Sequence, residues 1–420
     1  MLPAEQNGCS LAGRHSLIDG LAVPSAIRSG ERALPSHQRI IFFSTQEGYP
    51  WGGSEELWSR TALRLVAEGF PVSASVRAWS PPHQRVLSLI KHGVEVRLRP
   101  APYPLRQRVW RRLTAPHWSP WALELQRCIG ARPPGLVVLS DGAALPPVDL
   151  LELCIAKRWP FVTIGQANSE EYWPSDEYAE RYRKAVPAAL RCYFVSEANR
   201  LLAEKQIAHQ FSNAEIVRNP FNVDFDASPV WPHLGPNDEL RLACVARLHP
   251  PSKGQDILFE ALAAAPWGQR NWRLYLYGEG SMRKCLERLV QCLGLGDRVV
   301  FAGYQDVKEI WASNHVLIMP SRYEGLPLAI VEAMLCGRPV VATNVAGHSE
   351  IIEHGVTGFL ADAPTVGSVA DALERFWARR SNAKEIGAAA SKRIRQLVPC
   401  DPTLIYSNKI KEILACVEPA

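Results

Sequence analysis

The sequence predicts an α/β protein built from two doubly wound domains that face each other across a cleft. The chain of 420 residues is longer than one hydrophobic core usually grows. Short β-branched runs alternate with amphipathic helical stretches, which favours parallel sheets covered by helices on both faces. Residues 219–239, NPFNVDFDASPVWPHLGPNDE, are rich in Pro, Asn and Asp and separate two halves that share this alternation. Such a composition is typical of a linker between domains.

The first half opens with the apolar run at 39–45, which predicts the first strand. A helix is predicted next over 53–69, and it ends at a glycine, a residue that often closes helices. Further runs rich in β-branched and aromatic residues predict strands at 71–79, 94–99, 135–140, 160–166 and 192–196.

The second half repeats this pattern after the linker. Its predicted strands are at 240–248, 272–278, 298–303, 315–321 and 338–344. We therefore place the two domains at 39–222 and 223–400, after a loose N-terminal tail at 1–38, and expect 401–420 to form a helix that packs back toward the first domain. Ligands of doubly wound sheets bind at the carboxyl ends of the strands, so the site is expected in the loops there.

Composition and charge narrow the class of protein without naming a partner. Hydrophobic residues make up 47% and charged residues 21% of the chain, and the net charge of +5 gives no dense basic patch of the kind that binds nucleic acid. The ten cysteines form no CxxC pair, which favours reduced thiols. Because no apolar run has the length of a membrane span and no signal-peptide layout opens the chain, we expect a cytoplasmic protein.

The stretch SRYEGLPLAIVEAMLCG at 321–337 carries two acids around one predicted helix. Pro327 suits the first helical position, and the closing glycine suits the end, which predicts a helix over 328–336. Glu332 has no basic residue three or four positions away, so it needs ligand hydroxyls or a cation from another segment. Glu324 lies beside the helix N-terminus, where anions are stabilised. The alternative is a turn acid and a core glutamate paired with a distant Arg or Lys.

Other loops carry cations or glycines that could approach a phosphate. Arg247 and Lys253 follow a strand and open a helix, where two fixed cations can hold a diphosphate. A solvated loop with two basic residues is the plainer interpretation. Gly52 and Gly53 after the first strand, and Gly278 in YLYGEGS, would let backbone N–H groups approach a ligand, although each could also be an ordinary turn.

Together these segments resemble the retaining glycosyltransferases of family 4, whose GT-B architecture consists of two Rossmann-like domains. The resemblance rests on residues 321–360, in which two glutamates are separated by seven residues that include Gly-x-Pro. It also rests on the segments VARLHPPSKGQDIL, YGEGS and RNPFNVD, and more loosely on GGSEELW and FVSEANRLL in the first half.

The resemblance implies transfer of a sugar from a nucleotide-sugar to a hydroxyl acceptor, with retention at the anomeric carbon. The leaving phosphate would take the acceptor's proton, and neither a cofactor nor a metal ion is implied. The DFD at 224–226 falls in the linker, and we interpret it as a turn. Glu324 corresponds to the family glutamate that contacts the donor sugar, and Glu332 to the one that binds the ribose. The other implied donor contacts are the diphosphate-binding Arg247 and Lys253 and the backbone around Gly325, Leu326, Gly52, Gly53 and Gly278.

Three departures from the family pattern bear on the site, whose catalytic assignment covers Glu324, Arg247 and Lys253. Five residues, including two prolines, separate the two cations, one more than is commonest. The tripeptide Ala346-Gly347-His348 replaces a glycine pair found in many members. Where many members have a histidine in the first domain, this chain has Gln166 and Asn168, so an acceptor-side contact there would come from an amide.

The sequence defines the acceptor side less closely. We favour a UDP-sugar as donor, with a GDP-sugar as the alternative, and a glycan or lipid-linked saccharide as acceptor. The basic segment LRQRVWRRL could contact an anionic membrane at its inner face or be an ordinary solvated helix. Its arginines are Arg106, Arg108, Arg111 and Arg112. The alternative functions are a nucleotide-sugar epimerase of the same fold and a non-catalytic sugar-nucleotide-binding protein.

Overall fold

A computed structural model describes residues 38–100 and 119–417, which contain two parallel sheets. The first sheet has seven strands in the order β3-β2-β1-β4-β5-β6-β7. This order places the first strand of the chain in the interior of the sheet, as in doubly wound folds. The strands are β1 (Ile40–Ser44), β2 (Val72–Arg77), β3 (Glu95–Arg99), β4 (Leu136–Asp141), β5 (Phe161–Gly165), β6 (Arg191–Phe194) and β7 (Ala214–Ile216).

Helices cover both faces of this sheet because its central strands are apolar on both sides. In β1 all five residues are buried; Phe42 packs into one core cluster and Phe43 into another, since successive side chains point to opposite faces. The helices are α1 (Gly53–Ala67), α2 (Gln84–Lys91), α3 (Pro120–Ile129), α4 (Val148–Lys157), α5 (Asp176–Ala185) and α6 (Glu197–Ile207).

The second sheet has six parallel strands in the order β10-β9-β8-β11-β12-β13. Its strands are β8 (Leu240–Val245), β9 (Trp272–Tyr277), β10 (Val299–Gly303), β11 (Val316–Met319), β12 (Val340–Thr343) and β13 (Gly358–Ala361). The predicted fold class, α/β with two doubly wound sheets, is confirmed. The helices of this half are α7 (Pro250–Lys253), α8 (Gln255–Ala263), α9 (Arg283–Cys292), α10 (Val307–Ser313), α11 (Leu328–Leu335), α12 (His348–Ile351), α13 (Val366–Ala378) and α14 (Ala383–Leu397).

The last helix, α15 (Pro402–Cys416), lies against α1 of the first domain. Tyr406, Ile410 and Leu414 are buried in the same core cluster as the α1 residues. Arg64 of α1 donates to Asp401 at 2.6 Å, just before the helix begins. The end of the chain therefore stabilises the helix that opens the first domain.

Three local features differ from the sequence prediction. Strands β7 and β13 were not predicted, because three and four residues are too few to show an alternating pattern. Pro327 has an extended ψ of 128° and precedes the helix instead of opening it; its carbonyl accepts from Ile330 N and Val331 N.

No helix among the described residues is both long and apolar enough to cross a bilayer. The tail at 1–37 and the arginines at 106–112 lie outside the described residues.

Candidate active site between the two domains

Glu324 joins the two domains through its side chain and its backbone. Its Oε1 accepts from Lys253 Nζ at 2.5 Å and from Ser321 Oγ at 2.8 Å. Its carbonyl accepts from Asn168 N and from Asn199 Nδ2, both at 3.2 Å, on the first domain. The residue is buried, with 7% exposure, and a buried carboxylate needs such partners. The structure thus brings together the predicted acid and one of the two predicted cations.

The loop that follows Glu324 is in direct contact with the first domain. A Cβ placed on Gly325 would lie 1.9 Å from Gln166 O and 2.7 Å from a methyl group of Val195, so no side chain fits there. Tyr323 on the same loop packs edge-on against Tyr172 of the first domain, with ring centroids 5.4 Å apart. The motif loop is therefore part of the domain interface.

Glu332 lies on α11 and has only 3% exposure. Both the backbone N and Nδ2 of Asn222 donate to its Oε1 at 2.9 Å. Burial raises its pKa from 4.5 to about 7, while the bonds from Asn222 and the nearby Arg60 act in the opposite direction. The bonded partner of Glu332 is Asn222 of the interdomain linker, whose Oδ1 accepts in turn from the cation Arg60. The contact of Glu332 with ligand hydroxyls stays a prediction.

Arg247 stacks on an aromatic ring from the first domain. Its guanidinium carbon lies 3.8 Å from the ring centroid of Tyr49, and its buried Nε has no hydrogen-bond partner among the described residues. Gln255 Nε2 donates to the backbone carbonyl of Arg247 at 2.8 Å. Gly278 has φ +136°, and a Cβ there would lie 2.3 Å from Ala246 O. This glycine lets the two strand ends pack closely beside the arginine.

The extra residue between the two cations is accommodated as a turn of helix. Residues Pro250–Lys253 form α7, and Gly254 follows with φ +63°. A Cβ on Gly254 would lie 2.0 Å from Pro320 O. Arg322 fixes the same segment through bonds to Pro250 O at 2.7 Å and to the carboxylate of Asp256. Lys253 is therefore the last residue of α7, a helical turn that these contacts hold in place.

The two glycines after the first strand also border the interface. Gly53 opens α1, and a Cβ on it would lie 3.3 Å from a methyl carbon of Leu328 at the start of α11. Gly52 has extended backbone angles, and a Cβ there would lie 2.5 Å from the ring of Tyr49. The N-termini of α1 and α11 are consequently neighbours across the cleft.

The amides predicted on the acceptor side differ in their surroundings. Asn168 Nδ2 donates to Gln206 Oε1 at 2.9 Å and to Asn199 O at 3.5 Å, which occupies both of its hydrogens in the first domain. Gln166 Oε1 accepts from Asn219 Nδ2 at 2.7 Å, whereas its Nε2 is buried with no partner among the described residues. Of the two amides, Gln166 is therefore the one whose side-chain N–H group has no partner among the described residues.

The tripeptide that replaces the glycine pair also packs against the motif loop. Gly347 N donates to the carbonyl of Gly325 at 3.2 Å, and a Cβ on Gly347 would lie 3.1 Å from a methyl carbon of Leu326. His348 is fully buried; its Nδ1 lies 2.6 Å from Thr343 O. Burial lowers the pKa of His348, so the ring is neutral near pH 7.

A second buried polar cluster lies in the first domain, where the start of α1 approaches the carboxyl ends of β1 and β4. Glu55 accepts from Trp58 Nε1 at 3.0 Å, and burial raises its pKa to about 7. Asp141 accepts from Thr45 Oγ1 and from Ala143 N, and burial raises its pKa as well. No sequence motif indicates this cluster, because Glu55 lies on α1 and Asp141 ends β4, far apart in the chain.

Tyr49, Asn222 and Arg60 were also missed as site residues. Asn222 lies in RNPFNVD, one of the segments that carry the family resemblance, and Tyr49 lies three residues before Gly52. Their positions beside recognised motifs were the only available signal. Asp224 of the DFD pairs with Lys308 at 2.9 Å. Within 38–100 and 119–417, no group of three or more side chains is arranged to hold a metal ion.

A protein-family model and several known proteins each match part of this chain. Residues 239–379 match the family model described as glycosyl transferases group 1. The chain is 34% identical over 127 residues to the alpha-D-kanosaminyltransferase of Streptomyces kanamyceticus, covering 30% of this chain and 33% of that protein. It is 34% identical over 158 residues to the GDP-mannose-dependent alpha-(1-6)-phosphatidylinositol monomannoside mannosyltransferase of Mycobacterium tuberculosis, covering 35% of this chain and 41% of that protein. The matched part thus spans less than half of either relative.

Among solved structures, Anabaena HepE in complex with UDP superposes with a TM-score of 0.67 at 21% identity, covering 90% of this chain and 100% of that one. The sucrose-phosphate synthase of Thermosynechococcus elongatus superposes with a TM-score of 0.67 at 20% identity, with the same coverage. At these identities the likeness concerns the fold, which is GT-B.

Proposed function

We propose that this chain transfers a sugar from a nucleotide-sugar to a hydroxyl acceptor, as the resemblance implies; the match of residues 239–379 to the glycosyl transferases group 1 supports this proposal. The observation that carries the proposal is the arrangement around α11. Glu324 precedes the helix, Glu332 lies within it, and Lys253 is bonded to Glu324. Arg247 stacks on the first-domain ring of Tyr49. The two glutamates and the two cations therefore lie where the two domains are in contact.

Different residues bind the diphosphate, the ribose and the sugar of the donor. Arg247 and Lys253 bind the diphosphate, because cations beside a helix N-terminus suit an anion. The side chains of α11 provide no cap for its N-terminus, which leaves that end suited to a phosphate. Glu332 accepts from the ribose hydroxyls, and Glu324 contacts the sugar after Lys253 turns toward the phosphate.

The reaction retains the configuration at the anomeric carbon. The bond from that carbon to the diphosphate oxygen breaks, and the bond to the acceptor oxygen forms on the same face. The acceptor's proton passes to the leaving phosphate oxygen, so no side chain need serve as general base. The two cations stabilise the charge that develops on the diphosphate and take the part that a metal ion plays elsewhere.

A UDP-sugar is the donor that we favour, and a GDP-sugar is the alternative. HepE was crystallised with UDP and with UDP-glucose, whereas the mycobacterial relative is GDP-mannose-dependent. The acceptor is a glycan or lipid-linked saccharide that approaches from the first domain. Peripheral contact with an anionic membrane through Arg106, Arg108, Arg111 and Arg112 remains part of the proposal; co-sedimentation with anionic liposomes at low salt tests it, and no binding overturns it.

A thermal-shift and turnover panel with UDP-, GDP- and ADP-sugars tests the proposal. At a hundred times the dissociation constant, the matching donor should add about 2.7 kcal/mol to the free energy of unfolding. Lys253→Ala and Glu332→Ala should lose this ligand-induced shift. Lys308→Ala is the matched control, because Lys308 is exposed and pairs only with the linker residue Asp224 among the described residues. If no nucleotide-sugar stabilises the wild type, the proposal is wrong; binding without release of nucleoside diphosphate would indicate a non-catalytic protein.

A further inference from the structure

A continuous chain of hydrogen bonds connects the first domain to Glu332. Trp51 Nε1 donates to Glu56 Oε1 at 2.8 Å, and Arg60 Nε donates to Glu56 Oε2 at 2.8 Å. Arg60 Nη2 donates to Asn222 Oδ1 at 2.5 Å, and Asn222 Nδ2 donates to Glu332 Oε1 at 2.9 Å. The chain begins at the residue before the Gly52-Gly53 pair and ends on the second domain.

Asn222 holds one oxygen of Glu332 in a fixed direction. Its backbone N and its Nδ2 both donate to Oε1, while its Oδ1 accepts from Arg60. The amide therefore cannot rotate without breaking a bond, and its orientation is set by the arginine. Both bonds reach Oε1, so among the described residues Oε2 is the oxygen of Glu332 that is left for a ligand.

Arg60 is itself held at three points on the first domain and the linker. Besides Glu56 and Asn222, it donates through Nη1 to Phe221 O at 3.2 Å. Glu56 is 6% exposed and has a second cation, Arg85, at 3.4 Å. The charges along this series of hydrogen bonds alternate from Glu56 to Arg60 to Glu332. The guanidinium of Arg60 therefore lies between two buried carboxylates. The planar guanidinium of Arg60 donates to Glu56, Phe221 O and Asn222 in fixed directions. A lysine ammonium group has no such rigid fork of donors.

We propose that Asn222 and Arg60 are positioning residues that direct Oε2 of Glu332 toward the ribose hydroxyls of the donor. Glu56 and Trp51 extend the support to the glycine loop that faces the diphosphate. This inference rests on the proposed function, because it requires Glu332 to bind ribose. Its consequence is that first-domain residues determine how well the second domain recognises the ribose.

Binding of UDP and GDP, each compared with its 2′,3′-dideoxy analogue by calorimetry, tests the inference. In the wild type, removing the hydroxyls from the matching nucleotide should weaken binding on the order of tenfold or more, since hydrogen bonds to charged groups are lost. Asn222→Ala and Arg60→Gln should bind the natural nucleotide as weakly as the wild type binds the dideoxy analogue. The ratio of the two dissociation constants should then fall toward one, whereas general loss of structure would weaken both ligands alike.

Two controls and one mild variant keep the outcome clear. Asn213→Ala removes an amide that bonds Val186 O and Ala189 O in the first domain. Arg183→Gln removes an arginine that pairs with Glu180 on its own helix and with a backbone carbonyl. Both should keep the wild-type ratio. Trp51→Phe, which removes the Nε1 donor and leaves a smaller aromatic ring beside His83 and Trp58, should reduce the ratio partially.

The outcomes separate this inference from the proposed function. A wild type that binds neither nucleotide overturns the proposed function and the inference with it. A wild type that binds natural and dideoxy forms equally overturns the ribose role of Glu332, and with it the inference, while sugar transfer is still judged by the nucleotide-sugar panel. A wild type that discriminates, together with Asn222→Ala and Arg60→Gln variants that discriminate equally well, overturns the positioning role alone.

Discussion

At the scale of single residues, Glu332 is a carboxylate whose ionisation lies near neutrality. Burial raises its pKa to about 7, and the groups that face it are Asn222, Arg60 and Glu56. An ionised carboxylate accepts two ribose hydroxyls, whereas its protonated form accepts them poorly. Donor binding should therefore be strong above this pKa and weaken as the pH falls through it.

The corresponding prediction concerns the pH dependence of UDP-glucose affinity. Each pH unit below about 7 should weaken binding by up to tenfold, because protonation of Glu332 competes with the donor. Calorimetry between pH 5 and 8.5 measures this, with a nucleotide-sugar chosen because its diphosphate does not titrate in that range. Glu332→Gln should bind weakly and without this slope. If Glu332→Gln keeps the slope, the titrating group is another one, such as Glu55, whose pKa is also raised to about 7.

A second residue-scale prediction concerns the ring under Arg247. Tyr49→Leu removes the stack with the guanidinium, a contact worth about 0.5–2 kcal/mol, and so should weaken nucleoside diphosphate binding about twofold to thirtyfold. Tyr49→Phe keeps the ring and should bind nearly as well as the wild type. Isothermal calorimetry measures both. Tighter binding by Tyr49→Leu would mean that the ring competes with the phosphate for the arginine.

At the scale of elements, the motif helix and its preceding loop were predictable to within one residue, because Pro327, the apolar run and the closing glycine are all local signals. The partners of this helix were not predictable. Asn222 reaches Glu332 from the linker, and Gln166 meets Gly325 from another domain; such contacts depend on how distant segments pack. The assignment of donor-site roles to Glu324, Glu332, Arg247 and Lys253 stays a prediction.

The close approach at Gly325 leads to an element-scale prediction. Gly325→Ala places a Cβ 1.9 Å from the carbonyl of Gln166, so the motif loop and the first domain must move apart. Overpacking of this kind costs about 1–3 kcal/mol and should also abolish donor binding. Urea denaturation and calorimetry measure the two effects.

The matched control is Gly367→Ala in α13. A Cβ there has no neighbour within 4 Å, and replacing a helical glycine by alanine should stabilise the protein by about 0.5–1 kcal/mol. If the two alanine variants change stability equally, the close approach at Gly325 is not what limits that position.

At the scale of the whole molecule, two similar sheets could be predicted because the same strand and helix alternation occurs on each side of the linker. How the halves meet could not, since Tyr323 and Tyr172, or Arg247 and Tyr49, carry no pairing signal in sequence. Helix α15 adds a further connection, because it leaves the second domain and buries three apolar side chains against the first.

This connection predicts that the end of the chain contributes to the stability of the first domain. Ile410 is fully buried in the cluster that includes α1 residues, so Ile410→Ala should lower the free energy of unfolding by about 2–5 kcal/mol. Ile405 on the same helix is 43% exposed, and Ile405→Ala should change it by less than about 0.5 kcal/mol. Urea denaturation followed by tryptophan fluorescence measures both. Because α1 begins at the glycine loop, the Ile410 variant should also weaken nucleotide binding, and equal stability of the two variants would show that α15 is not part of this core.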